Sequence, residues 1–212
     1  MNKNSTMKAV VLVVIALVSL SNLFGISAAG LSVILGVIGL FVFKRVEKLS
    51  FDDVGLGSRS IKSIRQPIVG LLMVMPTIMN FLVIFLSKFI LPDYVDHVVS
   101  RSEGMLSVSI LPLLMLQLAV FALGEEIAWR AFFQKQLQKF LPFALTLFVS
   151  SILFALGHLT SGNLMIVIYD LVFVFVNSLF YGMIFQKTNS VWLGTCAHFI
   201  ANTFAVIILF FL

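Results

Sequence analysis

Apolar positions in this chain come in long unbroken stretches rather than in alternation. From Ala9 to Phe43 there is no Asp, Glu, Lys or Arg across 35 residues. As one helix at ~1.5 Å per residue this run would measure roughly 52 Å, against a hydrocarbon core of about 30 Å. The break from Ser21-Asn22 to Ser27, with Gly25 and Gly30 favouring a turn, predicts two short spans near 8–25 and 28–43. A single tilted helix is the alternative. A second charge-free run, Pro67 to Ser87, extends to Leu91 past Lys88, whose stem can snorkel to the interface. Further runs predict spans near 104–124, 142–158, 164–186 and 190–212. The pattern predicts an all-α polytopic membrane bundle of about seven transmembrane helices, six to eight. A membrane barrel is excluded, because its strands alternate apolar and polar residues.

Composition agrees with that pattern. Of 212 residues, 60% are hydrophobic and 11% charged, against roughly 45–50% and about 25% in soluble domains. The single cysteine, Cys196, excludes a disulfide framework and reads as a buried thiol. The basic residues set the orientation. With the N-terminus inside, the inner segments hold twelve: Lys3, Lys8, Lys44, Arg45, Lys48, Arg59, Lys62, Arg65, Arg130, Lys135, Lys139 and Lys187. Only Lys88 and Arg101 fall outside, where the loop 92–104 carries Asp93, Asp96 and Glu103. This obeys the positive-inside rule and predicts an integral, multi-pass plasma membrane protein with a cytoplasmic N-terminus. The net charge of +5 belongs to that rule, and no soluble basic module exists for nucleic acid. The N-terminus has a rival reading: Lys3, Lys8, an apolar stretch and Ser27-Ala28-Ala29 resemble a cleavable signal peptide. A second apolar segment follows at once, which favours a retained first helix. Segment 44–66 reads as a charged connector that enforces topology, with contact to anionic headgroups as the alternative.

Ionisable side chains within spans are costly and each requires an explanation. The candidates are Glu125, Glu126, Arg130, His158, Asp170 and His198, with Asn177 and Asn202 as neutral companions. Glu126 and Arg130 are spaced i,i+4, as are Phe154 and His158, and His198 and Asn202, so three helices each present a pair on one face. Counted from the turn at Pro142, Glu125 and His158 both lie about 25 Å away at ~1.5 Å per residue. If an amphipathic helix 130–140 projects ~10 Å beyond the membrane, Glu125, His158, His198 and Asn202 meet at one level at that rise per residue, in a cavity opening to the cytoplasm. Two carboxylates, two histidines and an amide suit water activation and oxyanion stabilisation. Amide hydrolysis within the membrane is the reaction class. Neither a Gly-x-Ser-x-Gly elbow nor a phosphate loop is present. Asp170 fits no motif and is read as structural, bonded within the bundle or placed near the outer interface. Trp129 and Trp192 suit an aromatic belt at the inner ends.

Three motifs stand in order: Glu125-Glu126-Ile127-Ala128-Trp129-Arg130 (Glu-Glu-x-x-x-Arg), Phe154-Ala155-Leu156-Gly157-His158 (Phe-x-x-x-His) and His198-Phe199-Ile200-Ala201-Asn202 (His-x-x-x-Asn). Together they resemble the type II CAAX prenyl protease and bacteriocin-processing family, also called the abortive-infection family. The resemblance covers about residues 105–207, taken as a CAAX protease-like core, with residues 1–104 as N-terminal helices and basic connector. It implies a glutamate-dependent intramembrane endopeptidase acting on a peptide or membrane-protein substrate, in bacteriocin-related processing or self-immunity. On that model Glu125 is the general base, and His158 helps to hold the water. His198 and Asn202 form the oxyanion hole, while Glu126 and Arg130 support the site. No cofactor is expected. Zinc on Glu125, His158 and His198 is the alternative, although no His-Glu-x-x-His is present. Two other function classes are a non-catalytic immunity or scaffold protein of the same fold and a small transporter, which lacks the inverted repeat common to such folds. No feature of the sequence specifies an oligomeric state.

Overall fold

The computed structural model describes residues 3–102 and 111–211, and among these it contains helices and no strand. The elements are α1 (Lys3–Ser19), α2 (Leu31–Val46), α3 (Pro67–Ile90), α4 (Tyr94–Ser102), α5 (Leu111–Leu137), α6 (Phe143–Leu156), α7 (Leu164–Thr188) and α8 (Val191–Phe210). Each of the seven apolar runs forms a helix. Four of them, α3, α5, α7 and α8, are long and apolar enough to cross a membrane. The expected start of the fourth span at Gly104, Glu103, the side chain of Arg101 and the 104/105 boundary lie outside the described residues.

The long first run does divide. Helix α1 stops at Ser19, a 3-10 turn occupies Ser21–Phe24, and Gly25 takes a left-handed φ of 73° before α2 begins. The same turn does a second job. The Asn22 amide donates to the carbonyls of Gly157 (3.1 Å) and Leu159 (3.0 Å), which holds the chain on either side of His158.

Apolar side chains cover the outside of the bundle, with Phe89 at 74% and Leu164 at 69% exposure. Apolar patches that extensive do not stay in water, and the protein is a membrane protein. Inside, the largest core joins α1, α2, α5 and α6 around Ile15, Phe43, Trp129, Phe132 and Phe154. A second core joins α3, α7 and α8 around Val69, Tyr181, Ile184 and Leu193. A third, at the opposite end, packs Tyr94 of α4 against Val83, Ile84 and Ile166.

Within α5 the stretch Glu126–Gln134 is a π-helix, and all nine of its residues are buried. This corrects the amphipathic reading of residues 130–134, the first half of the expected helix 130–140. Arg130 and Gln134 point into the bundle, where Arg130 donates to Ser178 Oγ (3.0 Å) and Gln134 to the Gly182 carbonyl (3.1 Å). Arg130 therefore leaves the group of topology-setting inner cations. Trp129 is corrected too: it is 2% exposed and packs on Phe133 and Phe154 (5.1 and 5.9 Å between ring centres), away from any interfacial belt. Cys196, expected to be buried, is exposed on α8.

Close approach of α2 to the π-helical segment depends on glycine. A Cβ at Gly36 would lie 2.6 Å from Ala128 Cβ and 2.8 Å from its Cα, and one at Gly39 would lie 2.8 Å from the Phe132 ring. At Gly70 of α3 nothing comes within 4 Å of such a Cβ. Gly36→Ala should therefore destabilise the protein by about 1–3 kcal/mol through overpacking, read as a lower Tm in detergent micelles. Gly70→Ala should leave Tm unchanged or raise it, because alanine favours the helix and meets no obstacle.

Candidate active site

Two of the pairs predicted from i,i+4 spacing stand on one helix each, Glu126 and Arg130 on α5 and His198 and Asn202 on α8, while Phe154 is on α6 and His158 lies in the turn two residues beyond its end. Glu125 is the last α-helical residue before the π segment. A π-helix closes i→i+5 bonds and so holds more residues per turn. Consecutive side chains then fan out by less than the 100° of an α-helix, and both adjacent carboxylates can turn to one partner.

That partner is His198. Its Nδ1 lies 3.3 Å from Glu126 Oε1 and its Nε2 lies 3.6 Å from Glu125 Oε2. His158 Nε2 approaches the other oxygen of Glu125 at 3.9 Å. The tautomer of His158 follows from its second contact. Its Nδ1 lies 2.9 Å from the Phe154 carbonyl, which can only accept, so Nδ1 carries the proton and Nε2 faces Glu125. The two carboxylates differ sharply in setting. The Glu125 side chain is 19% exposed, while that of Glu126 is 1% exposed.

Glu126 faces Arg130, with Oε2 at 3.6 Å from Nε; the guanidinium side chain is fully buried. This contact is an ion pair and longer than a hydrogen bond. The aromatic rings complete the guanidinium's surroundings, with Phe154 at 5.1 Å and Tyr181 at 6.0 Å from Arg130. Tyr181 also stacks on His198 (4.4 Å, 17° between planes), and Phe154 lies 4.6 Å from the His158 ring. Gly194 of α8 closes the last side. A Cβ there would stand 2.6 Å from Glu126 Oε2, so only glycine leaves room for the carboxylate.

Asn202 lies one turn beyond His198 on α8, and no hydrogen bond links it to the acidic cluster. With His158 it lines a cavity of about 450 Å³, together with Asn22, Asn80, Asn177 and Asp170. The cavity is also lined by Tyr94 and residues 157–160. It thus lies toward the bundle end away from segment 44–66 and the 138–142 turn, whereas the charge pattern predicts an opening at that basic end. The reason is depth: His158 stands after the last turn of α6 and next to the far loop. Asp170 is bonded within the bundle, accepting from Tyr94 Oη at 2.8 Å.

Five contributors escaped the motif reading: Asn22, Asn80, Ser178, Tyr181 in its stacking role, and Gly194. Asn80 carried a usable signal, as a lone amide inside an apolar span. Its amide donates to the Ala201 carbonyl (2.8 Å) and it accepts from Asn177 (2.8 Å). Ser178 and Gly194 carried none, since small residues are common in membrane helices. Among the described residues, no three His, Cys, Asp or Glu side chains are grouped so as to hold a metal ion. On stability, Arg130→Leu should cost about 3–5 kcal/mol by stranding the buried Glu126 carboxylate. The double variant Glu126→Gln/Arg130→Leu should recover part of that loss in unfolding measurements in micelles.

No curated protein and no solved structure matches the chain. Residues 107–204 match the protease family described as type II CAAX prenyl endopeptidase Rce1-like. The resemblance drawn from three short motifs is thereby shown across just under half of the chain, the stretch that holds Glu125, Glu126, Arg130, His158, His198 and Asn202.

Proposed function

We propose that the protein is an intramembrane endopeptidase in which Glu125 activates a water for attack on a peptide bond. The observation that carries this reading is the partly open carboxylate of Glu125 between two imidazoles, at 3.9 and 3.6 Å. A gap of 3.9 Å between Glu125 Oε1 and His158 Nε2 is too long for a direct bond. It is short enough for one water to reach both at about 2.8 Å. Such a water donates one proton to each acceptor and directs a lone pair into the cavity. Glu125 takes the proton as the oxygen attacks, and later returns it to the leaving amine. His198 Nε2, at 3.6 Å from Glu125 Oε2 and not hydrogen-bonded to it, is free to offer its N–H, with the Asn202 amide, to the developing oxyanion. Glu126 and Arg130 act at one remove by positioning His198.

In this reading all seven apolar helices are spans, the shorter α1, α2 and α6 lying within a bundle set by the four long ones. The basic end faces the cytoplasm of a plasma membrane protein, as the positive-inside rule requires. The cavity bearing His158 and Asn202 then faces the outer side. The substrate is a peptide or membrane-protein segment that enters from there. No step is routed through zinc.

The test uses full-length protein in micelles with a library of quenched-fluorescent peptides, followed by mass spectrometry of the products. Glu125→Gln should lower cleavage by about 10²-fold or more, and Asn202→Ala by roughly 10²–10³ in kcat if it serves the oxyanion. A strong chelator should leave the rate unchanged. Undiminished cleavage by folded Glu125→Gln would sink the catalytic assignment. A cellular phenotype that persists in both Glu125→Gln and His158→Ala would replace it with the non-catalytic immunity or scaffold role.

A further inference from the structure

A separate pocket of about 330 Å³ lies at the basic end, between α2 and the end of α5. Its inner wall is apolar, built by Leu40, Phe43 and Phe132, while Lys44, Lys135 and Lys139 stand at its rim with Glu47 and Asp53. Lys8 of α1, buried behind that rim, pairs with Glu47 and lies 5.3 Å from the Phe43 ring. The other carboxylate is already occupied: Asp53 accepts from the Ser50 backbone N–H (2.8 Å) and hydroxyl (2.7 Å). Lys135 donates to neutral acceptors, the Asp53 carbonyl and Asn189 Oδ1. Lys44 lies 4.0 Å from the Phe51 ring. Burial, and then the adjacent ammonium of Lys8, make the Lys139 ammonium easier to deprotonate than usual. Four ammonium groups therefore gather around two carboxylates, an excess of positive charge at the level where the apolar bundle ends.

The positive-inside rule asks only that such residues be on one side; it does not ask them to converge. Here they come from α1, α2, α5 and the following turn onto one pocket with an apolar wall. We infer that this pocket binds the phosphate of an anionic lipid headgroup, with the glycerol and first acyl carbons against Leu40, Phe43 and Phe132. The lysines contribute electrostatic attraction and hydrogen-bond donors, and the apolar wall selects an amphiphile over a free anion. The site is independent of the proposed proteolysis.

Native mass spectrometry of the full-length protein, titrated in micelles with phosphatidylglycerol, phosphatidylcholine or sn-glycerol 1-phosphate, tests this. One phosphatidylglycerol should saturate the site, with phosphatidylcholine and glycerol phosphate binding more weakly. Lys44→Gln and Lys139→Gln should each weaken phosphatidylglycerol about fivefold. Lys139→Arg should retain binding, and Arg65→Gln, at the same end but outside the pocket, should bind as wild type. Unchanged binding in both glutamine variants overturns the site, and so does equal weakening in Arg65→Gln. Glycerol phosphate binding as tightly as the lipid overturns the lipid as occupant and leaves a phosphate site.

Discussion

The carboxylate of Glu126, buried between Arg130 and His198, is the constraint on which the rest of the bundle depends. Charges held out of water cost several kcal/mol each unless partners are placed around them. Those partners come from different helices, so the charge dictates how the helices meet. Helix α8 must present a glycine, Gly194, where Glu126 Oε2 packs. Helix α7 must bring Ser178 to the guanidinium and Tyr181 to its face. The π-helical turn lets Glu125 and Glu126 converge on one imidazole. Phe154 then seals the group from the α6 side, touching Arg130, His158 and His198 with one ring.

The two ends of the bundle are specialised differently. At one end the polar groups are amides, a tyrosine and an imidazole around a cavity. At the other they are lysines around a smaller one. The acidic cluster lies between, and the N-terminal helices are tied to it. Asn80 of α3 holds the Ala201 carbonyl one residue before Asn202. Asn22 holds the turn that carries His158. Neither Asn80 nor Asn22 belongs to a motif, yet both hold the backbone next to residues that do.

The readings that held share a physical basis. Helix positions followed from runs of apolar residues, and the facing of Glu126 and Arg130 followed from i,i+4 spacing, both properties of a single helix. The break at Gly25 was legible because a left-handed φ there (73°) suits glycine. The readings that failed concern polar residues whose partners lie elsewhere in the chain. Arg130 was counted among the inner cations at the start of an amphipathic helix 130–140, but Ser178 satisfies it inside the bundle, as the Gly182 carbonyl does Gln134. Trp129 looked interfacial by its position, and Cys196 looked buried by its chemistry. Both were decided by which face α5 and α8 turn to their neighbours.

Sequence alone determined that this is a helical membrane protein, where its apolar helices lie, and which seven residues make up the three motifs. Hydrophobicity and helical periodicity are local properties, and a single strand of text records them fully. Only the tertiary structure decided that His198 lies between the two glutamates and that Arg130 is buried. It also decided that the cavity of His158 and Asn202 lies toward the end away from Lys44, Lys135 and Lys139. Those outcomes depend on the relative rotation and depth of separate helices, set by glycine contacts and by the need to partner every buried charge. No helix carries that information by itself.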